Sequence, residues 1–154
     1  MHAEYINPFI ESSQTILKSL ANMETALGKP YIKTSQYPGD TLAIIIELKG
    51  SLKGQVVFSM CKSVAIHIAS AIMGGMSLEQ LDDISKSALS EAANMIIGST
   101  VTVFSNQGFS IDITPPTVLM GDSVKICTQD NKNLCVPLNI DGGGLIELDI
   151  ALAG

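Results

Sequence analysis

Cations are scarce in this sequence. Nine Lys and Arg stand against fifteen Asp and Glu, which gives the 154 residues a formal net charge of −6. Phosphate backbones are gripped by clustered Lys and Arg, so this balance argues against nucleic acid as the main ligand and leaves protein partners open. Long apolar runs are missing too: no stretch reaches the roughly 18 consecutive apolar residues of a membrane helix. The first residues, Met1 to Ser13, lack a basic region followed by an apolar run, so no secretory signal is visible and a cytoplasmic location is expected. Cysteine is sparse. Cys61, Cys127 and Cys135 are odd in number and widely spaced, and with His2 and His67 they form none of the close pairs that mark zinc sites. Three reduced, partly buried thiols and no metal site are expected. His67, set among Val64, Ala65, Ile66 and Ile68, is expected to pack.

What is abundant is apolar. Hydrophobic residues make up 46% and charged residues 16%, a globular composition, and the length suits one domain over 1–154. A first helix is expected over 5–22, with Asn7 as its cap and Pro8 at its first helical position, since Ile6, Phe9, Ile10, Ile16, Leu17 and Leu20 recur at helical spacing. A short strand over 31–37 and a turn at Pro38-Gly39-Asp40 follow. The runs 42–48 and 54–60, joined at Lys49-Gly50-Ser51, read as an antiparallel hairpin. Residues 62–73 read as a second helix closed by Gly74-Gly75. Ser77 to Gln80 fits a capping box that opens a long third helix, which runs to about Gln107 and stops at Gly108. Five short strands are expected after it, over 110–113, 117–120, 124–128, 134–140 and 145–152. The order points to an α+β fold with a mixed or antiparallel sheet and three helices, the third of them long.

The third helix carries the chemistry. At roughly 100° per residue, Leu89, Ala92, Ala93, Ile96, Thr100 and Val103 share a core face. Asp83, Ser87, Ser90, Glu91, Asn94, Gly98 and Ser105 fall opposite. Glu91 and Asn94, three apart, are neighbours at about 5–6 Å. Small residues, Ser87, Ser90 and Gly98, surround them and let another protein approach closely. The same pattern also reads as a plain solvated face. Glu11-x-x-Gln14 in the first helix loosely echoes Glu91-x-x-Asn94, a hint of two duplicated halves.

Several blocks carry a resemblance: Ile6-Asn7-Pro8-Phe9-Ile10, Gly28-Lys29-Pro30, Met73-Gly74-Gly75-Met76, Ser87 to Met95, and Ile113 to Val118. In this order they resemble the CheX/CheC/FliY chemotaxis phosphatases, CheX-like members above all, over nearly the whole chain. The resemblance implies a CheC-like fold with pseudo-duplicated halves and hydrolysis of the aspartyl phosphate of a CheY-like response regulator. The family's E-x-x-N motif maps onto Glu91 and Asn94. Asn94 would orient the attacking water, and Glu91 would pair with the regulator's active-site lysine. Ser87, Ser90 and Gly98 would contact the substrate protein. Members with two motifs exist, but the first half here offers only Glu11 and Gln14, so one site is expected, with these two at most the vestige of a second. The resemblance also implies a homodimer joined through its sheets, and a Mg²⁺ supplied by the regulator rather than by this chain. The alternative is a non-catalytic module that binds a regulator or takes part in a flagellar-switch-like assembly.

Overall fold

A computed structural model describes residues 3–34, 37, 39–120 and 132–153. In chain order its elements are α1 (Ala3–Ala21), β1 (Thr25–Leu27), β2 (Tyr31–Thr34), β3 (Thr41–Gly50), β4 (Lys53–Cys61), α2 (Lys62–Ile72), α3 (Asp83–Asn106), β5 (Ile111–Ile113), β6 (Thr117–Met120), β7 (Lys132–Ile140) and β8 (Leu145–Ala153). The eight described strands form one sheet in the order β1-β7-β8-β4-β3-β5. Along the outer side of β7 lie β1 and β2, and along the outer side of β3 lie β5 and β6. Every described pairing is antiparallel. The α+β reading holds, and the sheet is antiparallel rather than mixed. The strand expected over 124–128 lies outside the described residues.

Strand alternation divides the sheet into two faces. Leu42, Ile44, Ile46 and Leu48 of β3 share one face with Val56 and Phe58 of β4, Leu148 and Ile150 of β8, and Val136 and Leu138 of β7. All three helices cover that face. Phe9 and Leu17 of α1, Ala65 and Ile68 of α2, and Leu89, Ile96 and Phe104 of α3 join the same core. Each such buried Val, Leu, Ile or Phe side chain stabilises the fold by roughly 1.5–3 kcal/mol. The opposite face holds a smaller cluster of Tyr37, Ala43 and Val57, beside the buried polar groups Ser59 and Asp149.

Two helix starts differ from the sequence reading. α1 begins at Ala3, so Asn7 is not its cap and Pro8 lies inside it. The extra turn carries Tyr5, whose ring packs edge-on against Phe109 at 6.0 Å and tilts against Phe104 at 6.5 Å. Such aromatic contact offsets the one backbone hydrogen bond that Pro8 cannot donate. α3 begins at Asp83, not at Ser77. The side chain of Asp82 accepts from the backbone N–H of Ser85 at 2.8 Å, and the Ser85 hydroxyl accepts from the backbone N–H of Asp82 at 2.8 Å. This reciprocal box wins over the Ser77 signal because Ser70 donates to the carbonyl of Met76 and Gly74 and Gly75 turn the chain at positive φ. The end of α3 agrees with the expectation. Gly108 adopts φ 92°, its N–H reaches Ser105, and the N–H of Phe109 reaches Phe104.

Three packing expectations change. Val103 is 37% exposed, and Phe104 takes the core position instead, against Phe9 at 5.8 Å and Phe109 at 5.7 Å. His67 is exposed on α2 rather than packed, because Val64, Ala65 and Ile68 already fill the core side of that helix. The strand expected over 31–37 ends at Thr34, which leaves Tyr37 outside it.

Candidate functional site

α3 carries the candidate residues on the side turned away from the sheet. Glu91 and Ser87 are exposed, while Asn94, Ser90 and Gly98 are half-buried. Helix geometry sets Glu91 and Asn94 side by side, at about 5–6 Å. Among the described residues, neither side chain makes a hydrogen bond or an ion pair with the rest of the chain. Gly98 stands one turn beyond Asn94, and a Cβ built there would meet nothing within 4 Å. Nothing internal requires a glycine there, although in mid-helix it costs about 0.5–1 kcal/mol relative to alanine.

Two apolar residues on this stripe escaped the sequence reading. Ile84 is 69% exposed, and Met95 is 38% exposed. They lie seven residues before and four residues after Glu91, spacings that return to the same side of a helix. Their helical spacing from Glu91 was the signal that could have found them.

The echo in α1 is not equivalent. α1 runs antiparallel beside α3, with Tyr5 against Phe104 and Ser12 near Ser99 at 3.4 Å. Glu11 is exposed. Gln14, however, donates to the backbone carbonyl of Thr25 at 3.3 Å. Its amide is engaged in holding the chain after α1, whereas that of Asn94 is free of the rest of the described chain.

A second polar constellation, unforeseen from sequence, lies on the helix-free face of the sheet. Lys33 reaches Glu147 at 3.1 Å and Asp149 at 3.6 Å, and its ammonium lies 4.5 Å from the centre of the Tyr37 ring. Glu147 accepts from the Cys135 thiol at 2.9 Å and from the Tyr31 hydroxyl. Asp149, wholly buried, accepts from Tyr37 at 2.7 Å and from Ser59 at 3.1 Å. Burial pushes the Asp149 carboxyl above the usual carboxylate range, only partly offset by Lys33. For Glu147 burial acts in the same direction, but hydrogen bonds from Cys135, Tyr31 and Lys33 outweigh it and hold the group below that range. Burial likewise raises the Cys135 thiol and the Tyr31 phenol, so neither is an activated nucleophile. These groups tie β2, β4, β7 and β8 together. Period-two alternation of Glu147 and Asp149 in β8 was the signal that could have found them.

Among the described residues no group of three or more His, Cys, Asp and Glu is arranged to hold a metal ion. Cys61 is half-buried, Cys135 is buried, and Cys127 lies outside the described residues. No described helix is long and apolar enough to cross a membrane. The chemistry open to the α3 face is therefore limited. A carboxamide can donate and accept hydrogen bonds but is no base at neutral pH, and an exposed carboxylate can pair with a cation. Together they can orient groups that another molecule brings.

Comparison with known proteins points the same way. Residues 42–139 match the family model described as chemotaxis phosphatase CheX. The CheY-P phosphatase CheX of Thermotoga maritima is 32% identical over 126 residues, which covers 82% of this chain and 81% of that protein. A CheX-CheY-BeF3-Mg+2 complex from Borrelia burgdorferi contains a chain 30% identical, with a TM-score of 0.83 over 97% of this chain and 98% of that one. A CheC-like superfamily protein from Shewanella superposes over 100% of both chains with a TM-score of 0.86 at 26% identity.

Proposed function

Because this chain belongs to the CheX family of chemotaxis phosphatases, we propose that it hydrolyses the aspartyl phosphate of a CheY-like response regulator. One observation carries the reading: Glu91 and Asn94 stand side by side on the open face of α3 with no side-chain partner among the described residues. A mixed anhydride is already labile, so its hydrolysis needs positioning and charge stabilisation more than covalent chemistry. In this reading Asn94 accepts a hydrogen bond from the attacking water and donates one to a phosphoryl oxygen, which fixes the line of attack. Glu91 pairs with the regulator's active-site lysine and sets the register of the two proteins. Ser87, Ser90 and Gly98 give the regulator room to come that close. The Mg²⁺ that neutralises the phosphoryl oxygens arrives with the regulator.

The same proposal takes residues 1–154 as one domain acting in the cytoplasm as a homodimer joined through a sheet edge. What supports the dimer is that, among the described residues, each edge of the sheet is made of two short strands and exposes apolar side chains, Leu27 and Ile32 on one edge, Leu119 and Met120 on the other. A purely docking module would have no use for a carboxamide beside Glu91. The deciding experiment follows the decay of aspartyl phosphate on single-domain receiver regulators with the parent protein, with Asn94→Ala and with neither. Acceleration by the parent and not by the variant supports the proposal. No acceleration of any such regulator by the parent overturns it.

A further inference from the structure

The open stripe of α3 holds more than the Glu91 and Asn94 pair, and resting on the phosphatase reading above we infer that Ile84 and Met95 are the apolar anchors that set affinity for the regulator. Ile84, Glu91 and Met95 lie along one line of the helix. At about 1.5 Å of rise per residue, the carboxylate sits roughly 10 Å from Ile84 and roughly 6 Å from Met95 along the axis. Ile84 is the most exposed large apolar side chain of the described residues at 69%, and neither residue belongs to the core. Exposed apolar groups placed singly need no explanation. Two that bracket the Glu91 carboxylate on one stripe, beside a glycine with open space above it, form a surface with a shape. Glu91 is the charge between the two anchors, and Asp83, exposed on the same side at the start of α3, adds a second anion next to Ile84. The complementary surface is a cation flanked by apolar groups, with backbone able to come close over Gly98. That fits the regulator lysine already assigned to Glu91 in the reading above. Water excluded by the two anchors would strengthen the Glu91 pairing between them.

The test measures both binding and turnover with the full chain. Binding is read against a receiver regulator loaded with beryllofluoride and Mg²⁺, and turnover against the phosphorylated form over a range of concentrations. Ile84→Ser and Met95→Ser should each weaken binding and raise KM by about ten-fold, the order expected for losing a buried apolar contact, with kcat unchanged. Leucine at either position should restore most of the affinity. Val103→Ser, an exposed apolar position on the same helix but off the stripe, should change neither constant. Gly98→Ala should stabilise the fold and still weaken binding, a combination a structural role would not give. The inference is overturned if Ile84→Ser and Met95→Ser leave KM and binding within roughly two-fold of the parent, or if Val103→Ser behaves like them. Failure of the underlying reading looks different: the parent then binds the loaded regulator without accelerating loss of phosphate, or does not bind at all.

Discussion

Tyr37 donates a 2.7 Å hydrogen bond to Asp149, a carboxylate with no solvent exposure, whose second oxygen has no partner among the described residues. Burial raises the Asp149 carboxyl, and Lys33 and Tyr37 only partly counter it. The sign of the consequence follows from linkage. With a folded value above the unfolded one, the native chain holds the extra proton in the intervening window. Asp149 then contributes fully below the ordinary aspartate range, and its contribution is lost as pH rises through the raised value. Glu147 is lowered, so its contribution is present above the ordinary glutamate range and lost as pH falls. Asp149→Asn removes the first dependence and keeps the second. Urea unfolding across pH should therefore show the variant gaining on the parent as pH rises. A difference that is flat, or that shrinks with rising pH, would contradict this account.

The largest stability effect is expected at Phe104. It is fully buried and joins Tyr5 and Phe9 of α1 to Phe109 beyond α3. Phe104→Ala should cost about 3–5 kcal/mol, because it removes transfer energy and leaves a cavity between two helices. Phe104→Leu should cost clearly less. Denaturant midpoints decide it, and a loss below roughly 1 kcal/mol for the alanine variant would mean that α1 and α3 close the gap.

Features set by neighbouring residues were legible before the structure. Gly108 ends α3, and Gly50-Ser51 marks the hairpin of β3 and β4, because both signals act within a few residues. Lys49 and Gly50, however, belong to β3, the turn falls at Ser51-Leu52, and both strands run longer than the expected 42–48 and 54–60. The start of α3 was misread because two capping signals, Ser77 and Asp82, compete five residues apart, and the choice depends on a hydroxyl in α2 that ties down Met76. β1 was invisible: Thr25–Leu27 is too short for a period and becomes a strand only by pairing with β7 far along the chain. The candidate site divides in the same way. Glu91, Asn94 and Gly98 lie on one helix, so spacing alone placed them together. Lys33 and Tyr37 meet Glu147 and Asp149 through the register Tyr31↔Cys135, which no local pattern states.

Gln14 offers a check on the single-site reading. Its amide holds the Thr25 carbonyl at the end of the segment after α1. Gln14→Ala should lower stability by about 0.5–1.5 kcal/mol, the usual worth of one such hydrogen bond, and leave turnover near the parent rate. Loss of about half the activity in a folded Gln14→Ala protein, with Asn94→Ala removing the rest, would mean that α1 carries a second working site.

Assembly is expected to depend on concentration. A chain of 16.3 kDa joined through a sheet edge should scatter light as a particle of twice that mass at micromolar concentration. Ile32→Lys or Leu119→Lys, whichever edge forms the contact, should return it to the monomer, since an inserted charge protects an exposed strand edge. A parent protein that runs at the mass of one chain throughout the micromolar range would rule out the dimer.

The roles given to Glu91 and Asn94 make opposite demands on kinetics. Asn94 is assigned to the attacking water, so its contact is strongest in the transition state. Asn94→Ala should lower the maximal rate by at least ten-fold while the complex with a beryllofluoride-loaded regulator still forms. Glu91 is assigned to a lysine that also touches the phosphoryl group. Its loss should weaken the complex, with part of the cost coming from the lysine left unpaired in a desolvated interface, on the order of 2–5 kcal/mol. Charge reversal separates pairing from mere contact: Glu91→Lys places two cations together and should bind more weakly than Glu91→Ala. All three variants should fold normally, because Glu91 is exposed and neither the Glu91 nor the Asn94 side chain bonds to the rest of the described chain. Single-turnover dephosphorylation across a range of regulator concentrations gives rate and affinity separately. A near-normal maximal rate for Asn94→Ala would remove the water-orienting role. A Glu91→Lys protein that binds as tightly as the parent would remove the lysine pairing, and the anchor would then have to lie elsewhere on α3.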